Sequence, residues 1–123
     1  PWQAIISAPK EYEVFSSGKV IKEDDIDFCA RITGAKFVHK AYAGTVGCCT
    51  AVAAKIEGTI VNEFSSADNG LDQIRIGHPS GVLPIKVNVE PVKENWKVNE
   101  VMLSRTGRRL MEGYAYIRKS RLM

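Results

Sequence analysis

The segment from Gly44 to Gly58, GTVGCCTAVAAKIEG, decides the predicted fold. Thr45 is a plausible N-cap for a helix and Gly58 a plausible stop. Between Val46 and Ala54 there is no charged residue. A helix that is apolar on every side is expected to be buried on every side, and its small side chains let neighbouring elements approach closely. The sequence therefore predicts a central buried helix wrapped by a sheet.

Strand signals lie on both sides of this helix. An apolar run extends from Trp2 to Ala8 and ends at Pro9, and residues 85–90 alternate strictly between apolar and polar. Such patterns are typical of strands. Further strands are predicted at residues 59–64, 73–76, 96–103 and 113–118, and a surface loop at residues 65–70. The predicted fold class is α+β, with a mostly antiparallel sheet curled around the central buried helix.

A second helix is predicted from Lys22 to Thr33. Asp24, Asp25 and Asp27 would lie in its first turns, where the helix dipole favours negative charge. Gly34 follows at the position of a C-terminal cap.

Composition sets the class of protein. The chain has 123 residues, is 45% hydrophobic and 25% charged, and carries a net charge of +3, which favours one globular domain over residues 1–123. No apolar run is long enough to span a membrane. The three cysteines, at positions 29, 48 and 49, lack metal-ligand spacing. They predict reduced thiols in a cytoplasmic protein without a metal site.

Basic residues concentrate near the end of the chain. Residues 105–123 hold six basic side chains and one acidic one. Such an excess can serve nucleic-acid binding. The segment has no Arg-Gly or lysine repeats, so no nucleic-acid partner is expected.

Three segments are candidates for binding an anion. The start of the predicted buried helix offers the backbone amides of Gly44, Thr45 and Val46 with no acidic side chain beside them, a typical carboxylate or phosphate site. The alternative is that Thr45 caps the helix and the glycines only permit packing.

The second candidate is the GHPSG loop, residues 77–81, in which His78 and Ser80 lie between glycines and Gly81 closes the turn. An ordinary β-turn is the alternative. The third candidate, residues 105–113, carries arginines suited to pairing with carboxylates, with a solvated surface connection as the alternative.

Together these segments resemble the PrpF family of 2-methylaconitate and methylitaconate isomerases and oxalomesaconate tautomerases, relatives of diaminopimelate epimerase. The resemblance rests on motifs in family order: Ser7-Ala8-Pro9, Tyr12, Asp27, Arg31, residues 39–45, 49–54, 58–59, 77–81, 105–106 and 108–113. The resemblance implies that this chain corresponds to the C-terminal half of a two-domain enzyme. Each domain of such an enzyme is a sheet curled around a central helix, and the active site lies between the domains.

The resemblance also implies chemistry. The expected reaction is a cofactor-independent allylic proton shift in an unsaturated di- or tricarboxylate. Ala43 stands where the epimerase relatives carry a catalytic cysteine. The proton-transferring lysine of the family belongs to the N-terminal half, so the catalytic residues are unknown and the chain is expected to be inactive alone. The expected substrate-binding residues are Gly44, Thr45, Val46, His78, Ser80 and Gly81.

Two kinds of partner follow from the resemblance. One is the missing N-terminal domain, and the other is a second copy of this chain in a homodimer. The alternative function is a free-standing carboxylate-binding or dimerisation module.

Overall fold

The described part of the chain combines one large sheet, a small hairpin and two α-helices. A computed structural model describes residues 2–34, 36–67, 70 and 72–121. Its elements are β1 (Gln3–Ser7), β2 (Tyr12–Glu13), β3 (Val20–Ile21), β4 (Phe28–Thr33), α1 (Gly44–Lys55), α2 (Ile60–Phe64), β5 (Gln73–His78), β6 (Gly81–Val92) and β7 (Asn95–Leu103). The predicted α+β class is confirmed.

The large sheet has the strand order β1-β4-β5-β6-β7, and β2 pairs with β3 in a separate hairpin. All pairings in the large sheet are antiparallel except the one between β4 and β5. The strict alternation of residues 85–90 lies within β6, which pairs with β7 in a long hairpin. The hairpin turns at Lys93, whose φ of 56° lies in the left-handed region. The mostly antiparallel sheet is therefore confirmed.

One face of the sheet packs against α1 and forms the main core. Inward side chains of β4, β5 and β6 alternate with outward ones, and they meet Ala51 and Ala54 of the helix. The fully buried strand residues are Phe28, Ala30, Ile32, Ile74, Ile76 and Ile85. A smaller cluster of Val14, Ile21, Ile26 and Cys29 packs the β2–β3 hairpin onto the opposite face.

Helix α1 is not covered on every side. Thr50, Ala51 and Ala54 are buried, whereas Thr45 and Cys49 are exposed. Burial of the helix on every side is thus not confirmed in this chain. The N-cap is Ala43 rather than the predicted Thr45.

The predicted helix over residues 22–33 is wrong. A single 3₁₀ turn, Glu23–Asp25, precedes strand β4. The carboxylate of Asp27 accepts hydrogen bonds from the backbone N–H (2.6 Å), Nε (3.1 Å) and Nη2 (2.7 Å) of Arg75. This long-range pair fixes the start of β4 beside β5 and overrides the local helix signal.

Two of the predicted strands are also wrong. Residues 60–64 form α2, because the Thr59 side chain caps the backbone N–H of Asn62 at 3.2 Å. Residues 113–118 pair with no described strand, and Tyr114 and Tyr116 are fully exposed. Of the predicted loop at residues 65–70, positions 68 and 69 lie outside the described residues.

Candidate functional site

The N-terminus of α1 presents free backbone donors. No side chain of the described residues caps it, and its first turn holds no acidic residue. The first intrahelical bond runs from the Gly47 N–H to the Ala43 carbonyl at 2.8 Å. The amides of Gly44, Thr45 and Val46 therefore precede the helical ladder and have no intrahelical acceptor, which is the arrangement found at helix starts that bind anions.

Arg105 lies directly over this helix start. A Cβ atom at position 44 would lie 2.5 Å from Arg105 Nη2 and 2.7 Å from Leu103 Cδ2, so only glycine leaves room for the guanidinium. The structure thus brings the first and third candidate segments together. A guanidinium beside free helix amides forms a positive region in which a carboxylate can accept hydrogen bonds from both.

A cavity of about 360 Å³ opens at this point. Its walls come from the start of α1, the start of β6 and the segment after β7: Tyr42, Gly44, Val82, Leu83, Pro84, Leu103, Ser104, Arg105 and Thr106. The volume suits a small organic acid. Of the six substrate-binding residues expected from the sequence, only Gly44 lines this cavity.

The GHPSG loop lies beside the segment that leads into α1. Ser80 Oγ donates to the Lys40 carbonyl at 2.5 Å, and the Ser80 N–H donates to His78 Nδ1 at 3.2 Å. The loop directly precedes the cavity residues Val82–Pro84 along β6. A role for His78, Ser80 and Gly81 in binding stays a prediction.

His78 is uncharged at neutral pH. The side chain is buried, and burial lowers its pKa to about 4, with a further lowering by the positive charge of Arg31 and by the electrostatic interaction with His39. Because Nδ1 accepts from Ser80, the neutral ring carries its proton on Nε2 and can donate from there.

Sequence reasoning missed Tyr42 and Ser104 as lining residues. Tyr42 is buried and its hydroxyl lies 3.0 Å from Thr50 Oγ1 on α1, so it fixes the segment before the helix. Its burial raises the pKa of the phenol. The available signal for Tyr42 was its position between two alanines just before the predicted helix. The other arginines of the third candidate segment do not line the cavity; Arg109 instead pairs with Glu112 at 3.0 Å in the exposed tail.

Comparison with known proteins identifies the family. Residues 1–118 match the sequence model of the family described as PrpF protein. The chain belongs to the PrpF family. It is 44% identical over 123 residues to the 3-methylitaconate isomerase of Eubacterium barkeri, and 36% identical over 121 residues to the 2-methyl-aconitate isomerase of Shewanella oneidensis. The matches cover 100% and 97% of this chain.

A solved structure shares the fold of this chain. The crystal structure of methylitaconate-delta-isomerase superimposes with a TM-score of 0.79 at 43% identity, over 100% of this chain and 31% of that chain. The chain spans 31% and 30% of the two isomerases named above, which are about three times longer. No helix in the described ranges is long and apolar enough to cross a membrane.

Proposed function

We propose that this chain forms the C-terminal, carboxylate-binding part of a PrpF-type isomerase that acts on an unsaturated di- or tricarboxylate. The observation that supports the proposal is the guanidinium of Arg105 packed on Gly44, at the uncapped start of α1 and beside a cavity of about 360 Å³. The named relatives are isomerases of 3-methylitaconate and 2-methyl-aconitate, which carry two or more carboxylates close together.

The proposed reaction is an allylic proton shift. A base removes a proton next to the unsaturated carboxylate, and an acid returns a proton at another carbon. Negative charge develops on the carboxylate in between. Arg105 and the amides of Gly44, Thr45 and Val46 would stabilise that charge, as preorganised donors do in other enzymes. His78 Nε2 would complete the binding site from the GHPSG loop, whereas both donors of Ser80 hold the loop itself.

The chain is proposed to lack the base for this reaction. Its site offers donors and a cation, and the described residues that line the cavity include no carboxylate, histidine or lysine. The part of the isomerases that this chain does not match, about two-thirds of their length, would supply the proton-transferring group. The isolated chain should then bind substrate without turning it over.

The remaining part of the enzyme would also cover exposed apolar surface. Met111, Tyr114 and Tyr116 are 88%, 101% and 103% exposed, and Cys49 in the uncharged stretch from Gly44 to Ala54 is exposed as well. A partner that covers these side chains would remove their apolar surface from water. The alternative occupant is a second copy of this chain. Sedimentation of a monomer at high micromolar concentration would remove that alternative.

Binding can be tested by titrating ¹⁵N-labelled chain with methylitaconate. Amide shifts are expected in residues 44–47, 78, 80 and 81. Arg105→Gln should weaken the affinity at least tenfold, because it removes a charge-assisted pair. Arg108→Gln is the matched control, since Arg108 is exposed in the tail and does not line the cavity. Equal affinities of the two variants, or equal shifts with the neutral diamide, would refute the site.

Catalysis needs a second experiment. The chain alone is expected to show no isomerisation of methylitaconate. Activity should return when it is mixed with the Eubacterium barkeri isomerase from which the matched part has been deleted. Turnover by the chain alone, purified free of host isomerase, would contradict the placement of the base outside this chain.

A further inference from the structure

Two side chains that do not line the cavity hold both ends of the GHPSG loop. Arg31 Nη1 donates to the Gly77 carbonyl at 3.2 Å, and the Tyr12 hydroxyl donates to the Gly81 carbonyl at 2.5 Å. The guanidinium carbon of Arg31 lies 5.2 Å from the centroid of the Tyr12 ring, within cation–π range. Arg31 Nη1 also donates to the Ala30 carbonyl at 2.8 Å, which fixes the arginine on its own strand. The Tyr12 and Arg31 side chains therefore stabilise each other's positions.

The interior of the loop is held from two further directions. The Phe15 N–H in the β2–β3 hairpin donates to the Pro79 carbonyl at 3.2 Å. On the other side, Ser80 Oγ donates to the Lys40 carbonyl. The loop is thus fixed between the hairpin, strand β4 and the segment that leads into α1.

The Tyr12 ring also packs on the first residue of the loop. A Cβ atom at Gly77 would lie 3.2 Å from Tyr12 Cε1 and 2.8 Å from Ile26 Cδ1. Burial raises the pKa of Tyr12, so its hydroxyl stays protonated and remains a donor at neutral pH.

We propose that Tyr12 and Arg31 are positioning residues, which hold the GHPSG loop in the conformation that lets His78 donate from Nε2 to a carboxylate of the substrate. This inference rests on the proposed function and extends it. It assigns a role to two side chains that do not line the cavity at Arg105. Their effect on binding passes entirely through the loop backbone.

The first test compares Tyr12→Phe with Tyr114→Phe. Both variants lose one hydroxyl, but Tyr114 is fully exposed and serves as the matched control. In Tyr12→Phe, the Ser80 and Gly81 amides should exchange with deuterium roughly fivefold faster, while the Val101 amide in β7 should keep its rate. The affinity for methylitaconate should fall by a similar factor. Unchanged exchange at both loop amides would overturn the proposal.

The second test uses Arg31→Lys against Arg108→Lys. Lysine keeps the charge but cannot reproduce the planar contact with the Tyr12 ring and the two carbonyl bonds. Faster loop exchange and weaker binding are expected for Arg31→Lys only. A fall in melting temperature with no change in affinity measured well below the melting point would show a purely structural role and overturn the inference. If the wild-type chain binds no dicarboxylate, the proposed function fails, whereas faster loop exchange in Tyr12→Phe still supports the positioning of the loop.

Discussion

Replacing Asp27 with asparagine tests the contact that converts a predicted helix into strand β4. The carboxylate accepts three hydrogen bonds from Arg75, one from the backbone and two from the guanidinium, at 2.6, 3.1 and 2.7 Å. Asparagine can keep the backbone bond through its remaining oxygen. Its amide group would face the guanidinium with donors against donors, so both charge-assisted bonds would be lost.

The expected loss in the free energy of unfolding is about 2 kcal/mol. The Asp27 side chain is 5% exposed, which argues for a large effect, but the Arg75 side chain is 38% exposed and water can partly replace its lost partner. For a chain of this length the loss corresponds to a fall of about 8 °C in melting temperature. The measurement is urea denaturation, with a lower midpoint and an unchanged slope.

The matched control is Glu100→Gln, which makes the same chemical change in an exposed pair. Glu100 lies 3.0 Å from Lys86, and both side chains are about half exposed. That variant should lose less than about 0.5 kcal/mol. A double-mutant cycle with Arg75→Met should give a coupling energy above about 1 kcal/mol. Equal losses in Asp27→Asn and Glu100→Gln would refute the reasoning.

Two further predictions concern the site. Gly44→Ala should displace Arg105 and weaken methylitaconate binding about tenfold by NMR titration, whereas Gly107→Ala, whose added methyl meets nothing within 4 Å, should bind like the wild type. His78 has a pKa of about 4 in the folded chain and 6.5 unfolded, so the unfolded state binds more protons between those values and stability should fall as the pH drops from 6.5 to 4. The loss should be at most roughly 3 kcal/mol by urea denaturation, and His78→Gln should flatten the profile; an identical profile in that variant would exclude His78 as its source.

The elements that the sequence predicts well are those whose pattern is local. Strict alternation in residues 85–90 marks β6, and the uncharged run after Gly44 marks α1. Strand β4 could not be found in this way, because the partner of Asp27 lies 48 residues away and the neighbouring aspartates imitate a helix start. Helix α2 is too short to show a helical period, and only the cap at Thr59 signals it.

In the candidate site, too, features set by local sequence could be predicted and contacts between distant residues could not. Gly44 could be proposed as part of an anion site from its position at a helix start. Arg105 could be recognised only as a member of a basic segment, because its contact with Gly44 depends on the packing of β7 against α1. The roles proposed for Tyr12 and Arg31 depend on the backbone of a loop that neither side chain is near in sequence.

The stretch of α1 from Gly44 to Ala54 holds no charged residue, although part of its surface is not covered in this chain. Burial on every side was expected from that sequence, yet Cys48, Cys49 and Val52 face an open depression shared with Val101. Polar side chains would not destabilise the fold on a face that stays in water. An apolar side chain such as Val52 stabilises the fold by about 1.5–3 kcal/mol only when it is fully buried. This apolar face of α1 is not fully covered in this chain, and the isomerases are about three times longer than it. Both observations support the proposal that a further part of the enzyme packs against α1. The proposed remainder of the enzyme would complete the core around α1 while it supplies the base to the helix start.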